Sequence, residues 1–505
     1  MIKKFKIGFI FLIGTIGVQT FSCSSSNGGD SGDNDNGSSS SEALQSSSSE
    51  IAASSSSDES SSSSVDNHQS SSSSEEQSSS STVGSSSSFS SSSNNVPDGT
   101  GTGTENDPFT IGSATTLRYA GRGNDNPVGY KEWTLSAHYK LTADITLTSE
   151  WTPIGHWNSA SDYAYFNGTF DGNNKTITGI ANTATIEFSQ YRGMFVYIDT
   201  DGIVKNLALK NVNIKSKGSA LGGIAGVNHG TILNSSVTGI VEGNADYVGG
   251  VVGLNYGKLS NCHVDGSVEN LDSYQGSVGG VAGRNEGTLE NCYATGSVEG
   301  QSQEGGSGGV VGNNLGKVSS CHAAGNVKGA YLVGGVAGRN LSGVQIAVIE
   351  NCYATGSVEG ENVVGGILGL NNGGTVENCY ATGSVKGNIR VGGVAGQHNG
   401  TIKNCAALNP SITRSSGSDD NFGRVIGYGF GTLTNNHAKS DMQFYSGASL
   451  STFPTSDEND LHGTDVSAST ANTTDFWQTT MGWDLNGIWE MTAGNLLKLR
   501  GVEGQ

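Results

Sequence analysis

Five side chains that could hold a ligand recur at one spacing: His263, Tyr293, His322, Tyr353 and Tyr380. Each directly follows a cysteine of the series Cys262, Cys292, Cys321, Cys352 and Cys379, which Cys405 continues. In an extended chain, neighbouring side chains point to opposite faces. If the cysteines face a core, the aromatic column faces outward. An exposed aromatic column, with hydroxyls at Thr295, Thr355 and Thr382 two positions on, is a platform on which sugar rings could stack. It also has a purely structural reading, because stacked aromatic side chains stabilise neighbouring strands.

The cysteines could be bridged or free. Parallel strands in register place like residues about 4.8 Å apart, whereas a disulfide needs Cβ atoms at about 3.5–4.5 Å. Buried thiols acting as small hydrophobes are therefore expected, with one or two strained bridges as the alternative. No metal chain is expected, since His263 and His322 point away from the adjacent cysteines.

The charged columns offer little chemistry. Glu242, Glu269, Glu299, Lys328, Glu359 and Lys386 share one repeat position and read as a solvated charge ladder. Glu350 and Glu377 also sit one repeat apart. Retaining glycosidases hold two carboxyls about 5–5.5 Å apart, but any residues in one column share that spacing. A lyase would set Arg284 and Arg339, with Asn313 between them, beside an acidic calcium site. No Asp cluster lies on the repeats, and Asp419-Asp420 stands alone. No Ser-His-Asp signature, phosphate loop or zinc spacing appears. No catalytic residue, metal or cofactor is expected.

The positioning element is the repeat itself. An Asn precedes each Cys position, at Asn206, Asn234, Asn261, Asn291, Asn351, Asn378, Asn404 and Asn435, with Ser320 in the one vacant place. The steps run from 26 to 31 residues, which means a stacked array. Short β-branched runs alternate with polar residues and no helical spacing appears between 200 and 440. Strands that recur once per repeat and stack on themselves are parallel. The expected fold is all-β: a parallel β-solenoid, or β-helix, with terminal caps. Asn suits a tight bend and can bond to the Asn one rung away. Gly pairs such as Gly249-Gly250, Gly279-Gly280 and Gly392-Gly393 read as corners with positive φ. Nine rungs give a rod about 40 Å long.

The remaining segments frame that rod. Lys3, Lys4 and Lys6 precede an apolar run, Ile7 to Val18, too short to span a bilayer. Thr20-Phe21-Ser22-Cys23 then resembles a bacterial lipoprotein signal with Cys23 as the lipidated residue, although Thr20 stands where Leu is usual. An ordinary signal peptide cut nearby is the alternative. Between Ser24 and Asn94 lie ten Asp or Glu and no Lys or Arg, among runs of Ser. Such a segment cannot bury enough apolar surface to fold. The expected order is a signal peptide at 1–22, a disordered acidic linker at 23–96, an N-terminal cap with first coils at 97–190, the repeats at 191–440 and a C-terminal cap at 441–505. All six Trp fall outside the repeats, and 483–489 reads as the packing element of the second cap. With a net charge of −20, the chain gains nothing from counterion release, which excludes nucleic acid.

The strings at 279–288 (Gly-Gly-Val-Ala-Gly-Arg-Asn-Glu-Gly-Thr) and at 291–298, 351–358 and 378–385 (Asn-Cys-Tyr-Ala-Thr-Gly-Ser-Val) resemble the GLUG repeat of bacterial surface proteins. The resemblance covers roughly 190–440. It implies a β-solenoid on exported proteins, including adhesins and certain immunoglobulin A metallopeptidases. In those peptidases the chemistry lies in a separate zinc domain, and no His-Glu-x-x-His occurs here. The expected function is adhesion, or binding of a polysaccharide or cell-surface protein, by a protein held at the outer membrane or cell surface through its lipid. A polysaccharide lyase or glycosidase on a β-helix, and a passive stalk, are the alternatives.

Overall fold

The computed structural model describes residues 98–183, 190–272, 274–418, 420–454, 461–491 and 496–505. The signal-type segment, Cys23, the serine-rich linker and Asp419 lie outside the described residues.

One continuous column of side chains defines the architecture. Phe109, Tyr139, Phe170, Val204, Ile232, Leu259, Leu289, Val318, Ile349, Val376, Ile402 and Leu433 pair in parallel register, each with the next. All but Leu433 are buried. The fold is a parallel β-solenoid of twelve rungs, about 50 Å long at strand spacing. The Asn count predicts nine. Three earlier rungs carry Phe109, Tyr139 and Phe170; the first two have no Asn at the corner, and the third turns at Asn173 and Asn174, whose φ values are 50° and 58°.

Each repeat turns at its Asn. Asn206, Asn234, Asn261, Asn291, Ser320, Asn351, Asn378, Asn404 and Asn435 all have φ between 46° and 54°. This is the left-handed region, which Asn tolerates better than most residues. Their carboxamides form a ladder: Asn234 Nδ2 donates to Asn206 Oδ1 at 3.1 Å, Asn261 to Asn234 at 2.9 Å and Asn435 to Asn404 at 3.0 Å.

The Gly pairs work differently from expectation. None of Gly249, Gly250, Gly279, Gly280, Gly392 and Gly393 has positive φ. A Cβ on Gly280 would collide with the carbonyl oxygen of Gly309, and one on Gly250 with that of Gly280. The glycines let one rung's backbone lie against the next.

A second Asn ladder runs through the interior. Asn228, Asn255, Asn285, Asn314, Asn340 and Asn371 are fully buried. Asn228, Asn255, Asn285 and Asn314 each donate to the next at 2.8 Å, and Asn340 donates to Asn371 at 3.0 Å. Each also donates to a backbone carbonyl two or more residues on, such as Asn285 to Gly287 at 3.2 Å and Asn314 to Gly316 at 3.1 Å. Buried amides need such partners, and here every rung supplies the next.

The ends differ from one another. At the N-terminal end, Trp133 stacks on Phe109 at 4.8 Å, and helix Ala114–Tyr119 buries Leu117 in the core. At the other end the coil continues through Thr464–Val466, which pairs with His437–Lys439. Residues 467–491 and 496–505 then run back along the flank. Trp477, Trp483 and Trp489 are buried there beside Tyr380, while Phe476 meets His437 edge-on at 5.3 Å and Asn435 donates to Thr480 O at 2.9 Å. The C-terminal segment is thus a strap that starts on the last rungs and extends along the flank.

Candidate functional site

His263, Tyr293, His322, Tyr353 and Tyr380 stack in consecutive register, with ring centroids 4.7, 4.9, 4.9 and 5.0 Å apart and planes within 8° of parallel. The column points away from the cysteines, but it is not an open platform. Parallel strands set the rings face to face, so each interior ring spends both faces on its neighbours. The strap covers the edges: Tyr293 is 8%, Tyr353 4%, Tyr380 2% and His322 0% exposed. Tyr380 donates to Leu497 O, Tyr353 donates to Gln505 Oε1 at 2.9 Å, and His322 Nε2 lies 3.1 Å from Gly504 O. Each buried indole of the strap contributes roughly 4–6 kcal/mol of gross area burial. Burial pushes the Tyr353 and Tyr380 hydroxyls up and the His322 imidazole down to about 4. The expected sugar platform is corrected for the four rings from Tyr293 to Tyr380, whose faces are stacked or packed and whose edges are covered; His263 is half-buried and keeps one face without a ring against it.

The column has two ends, and they are unlike. Beyond Tyr380 the next position is the small, buried Ala406, and the strap's Trp477, Trp483 and Trp489 fill the space at 5.7–6.3 Å from the Tyr380 ring. Beyond His263 come Ser236 and then Ala208. No second ring stacks on His263 among the described residues. A groove of about 550 Å³ lies there, with Asn206, Asn234 and Asn261 along it and Glu503 of the strap at its edge.

The six column cysteines are buried and free. Each thiol lies 3.1–3.4 Å from the carbonyl oxygen two residues before it. Burial pushes the Cys262, Cys321 and Cys379 thiols well up, which disfavours the reactive thiolate.

The carboxylate columns are ion-paired. Glu350 meets Lys317 at 2.7 Å and Glu377 meets Lys403 at 2.5 Å. Lys215, Lys328 and Lys386 bond Glu242, Glu299 and Glu359 at 2.7–2.9 Å. Arg284, Asn313 and Arg339 do share one column, but Arg284 bonds Glu286 at 2.7 Å and Tyr247 at 3.0 Å, while Arg339 reaches Glu304 O at 3.2 Å. No group of three metal-ligating side chains occurs among the described residues.

A second aromatic ladder was not singled out by spacing. Tyr165, Tyr197, His229 and Tyr256 stack at 3.8, 5.0 and 4.4 Å. Hairpin His156–Ser159/Asp162–Ala164 adds Trp157 and Tyr163, the latter 50% exposed. Only His229 and Tyr256 keep the repeat spacing, in the Asn-x-Gly strings at 228–230 and 255–257, which read as turns.

Five stretches, 244–269, 274–299, 329–359, 360–386 and 387–413, match the GLUG motif. Halomucin of Haloquadratum walsbyi is 30% identical over 155 residues, 29% of this chain and 2% of that protein. A protein of Evansella cellulosilytica, provisionally named a Gly-rich membrane protein, is 33% identical over 145 residues, 27% of this chain and 15% of its own length. The chain thus spans a small part of either relative. A solved structure from Bacteroides ovatus, provisionally named an immunoglobulin A1 protease, is 20% identical with a TM-score of 0.34, over 80% of this chain and 95% of that one. At that score nothing about activity transfers. Cys262, Cys292, Cys352, Cys379 and Cys405 lie within those stretches and Cys321 falls between two of them, so the chain carries five GLUG motifs on a parallel β-solenoid.

Proposed function

We propose that this chain is an exported surface protein whose solenoid binds an extended partner, with polysaccharide as the chemistry its surface fits best. The observation that carries this reading is the outer Asn ladder. It sets carboxamides in a straight line one rung apart on a rigid sheet, from Asn206 to Asn261 and again from Asn351 to Asn435. Such a strip offers donors and acceptors repeatedly along one axis without fixed charge. The signal-like first residues, Cys23 and the serine-rich linker support a lipid-held location at the cell surface. One of the two relatives is a membrane protein by name, which supports the surface location and says nothing of the lipid.

The test is retention of the full chain on a panel of insoluble polysaccharides. Saturable retention on at least one supports the reading, and none on any refutes it. A passive stalk is the second reading. The enclosure of the four rings from Tyr293 to Tyr380 favours it, since those aromatics serve the strap and the coil.

A further inference from the structure

The five-ring column is closed at one end and open at the other. At the closed end the strap's indoles cover Tyr380. At the open end the column narrows from rings to Ser236 and Ala208, and the strap turns back at 501–503. The resulting groove, about 550 Å³, is within the range of small-ligand sites. Its back wall is the outer face of His263, itself backed by Tyr293 at 4.7 Å.

The lining selects a class of ligand. No Lys or Arg lines the groove among the described residues, and Glu503 does, so an anion is disfavoured. Asn206, Asn234 and Asn261 lie along it, so a purely apolar ligand would strand their amides. A carboxamide has two N–H donors and an oxygen with two lone pairs. Asn234 spends one donor on Asn206 and one lone pair on Asn261. One of each remains, and a hydroxyl group needs both a donor and an acceptor. A neutral ring with one apolar face and several hydroxyls meets all of these conditions.

We propose that this groove is a binding subsite for one pyranose ring of a neutral glycan, seated on the His263 face as the next member of the stack. The inference rests on the reading that the solenoid binds polysaccharide, and it locates where. Asn206, Asn234 and Asn261 take its hydroxyls, and the carboxylate of Glu503 accepts a further one.

The decisive variant is Ser236→Tyr, because a ring at that position extends the existing stack and fills the groove. His263→Ala removes the stacking face and serves as a second, independent variant. Lys328→Ala, in the exposed charge ladder away from the groove, is the control. The full chain is titrated with neutral gluco-, xylo- and manno-oligosaccharides by calorimetry, with thermal melting to check folding. Binding by the wild type and the control, with at least a tenfold loss in both groove variants, is the expected result. Wild-type affinity in the two groove variants overturns the subsite but leaves polysaccharide binding intact. Retention on polysaccharide with no neutral oligosaccharide bound also overturns it. No binding to any polysaccharide overturns both.

Discussion

Asn314→Ala tests whether the interior amide ladder holds the coil together. Asn314 is fully buried, accepts from Asn285 at 2.8 Å, donates to Asn340 at 2.8 Å and donates to Gly316 O at 3.1 Å. Alanine removes these three bonds and two longer, shared ones, the donation to Val348 O at 3.2 Å and the bond accepted from the Gly316 N–H at 3.3 Å, an N–H that keeps Asn285 O. Asn285 keeps Gly287 O and Lys317 O as acceptors, and Gly316 O keeps the Val348 amide. Asn340 Oδ1 loses the Asn314 donor in a dry interior, which costs about 1–3 kcal/mol. The bonds to Asn285 and Gly316 O contribute about 1 kcal/mol each. The expected loss is on the order of 4 kcal/mol. Asn261→Gly is the comparison, because glycine keeps the left-handed corner and the lost bonds lie in solvent, so about 1 kcal/mol or less is expected. Urea denaturation gives both values when the slopes agree. Hydrogen exchange of the rungs around 285–340 localises the effect, since stacked repeats can open in part. An Asn314→Ala loss below about 1 kcal/mol, or no larger than that of Asn261→Gly, would refute the argument.

Acid should loosen the strap. The His322 pKa is lowered to about 4, first by burial, then against the Gly504 carbonyl bond and with Lys498 nearby, while its stacking neighbours Tyr293 and Tyr353 are neutral. Because the folded value is below the unfolded one of about 6.5, this contribution is complete above pH 6.5 and is lost as pH falls towards 4. Proteolysis of the strap at pH 4.5 should outpace that at pH 7.5, and His322→Phe should flatten the difference; equal rates in the parent would count against it. Thiol titration should find none of the six column cysteines reactive in the native protein and all six in denaturant, whereas a shortfall under denaturing, non-reducing conditions would reveal bridges. Gly280→Ala should cost about 3 kcal/mol, at the upper end of overpacking, because its Cβ meets the Gly309 backbone. Gly343→Ala, with open space around it, should be nearly neutral in the same melting assay, and similar costs for the two would remove the close-approach explanation.

Periodicity makes the coil legible. A 26–31-residue recurrence of Asn before the Cys position places both columns and the register of nine rungs. The first three rungs escape that reading because Phe109 and Tyr139 keep the apolar inward position without an Asn corner, and Asn173-Asn174 after Phe170 fall outside the 26–31-residue step with no Cys behind them. The interior ladder is visible in Asn285-Glu286-Gly287 and Asn314-Leu315-Gly316, yet such strings read first as turns, and burial is what separates the two roles. Gly280 illustrates another limit. Its spacing is plain, but whether it answers a dihedral or a neighbour depends on the approach of the next rung. The strap was illegible because 467–505 carries no period. Only the three-dimensional return of Trp477, Trp483 and Trp489 to Tyr380 reveals that the outward aromatic face is enclosed.

The strap also changes how the rod should fail under load. In a plain solenoid each rung touches only its neighbours, so the last one can peel and the rest follow one at a time. Here the chain leaves the final coil at Val466 and is fastened again at Tyr293, six rungs back by register. Peeling from that end must first unseat three indoles and the Tyr380 and Tyr353 hydrogen bonds. A pull along the axis therefore meets several rungs loaded together, like a bolt through stacked plates, and the mechanically softer end is the one that carries Phe109–Ile111.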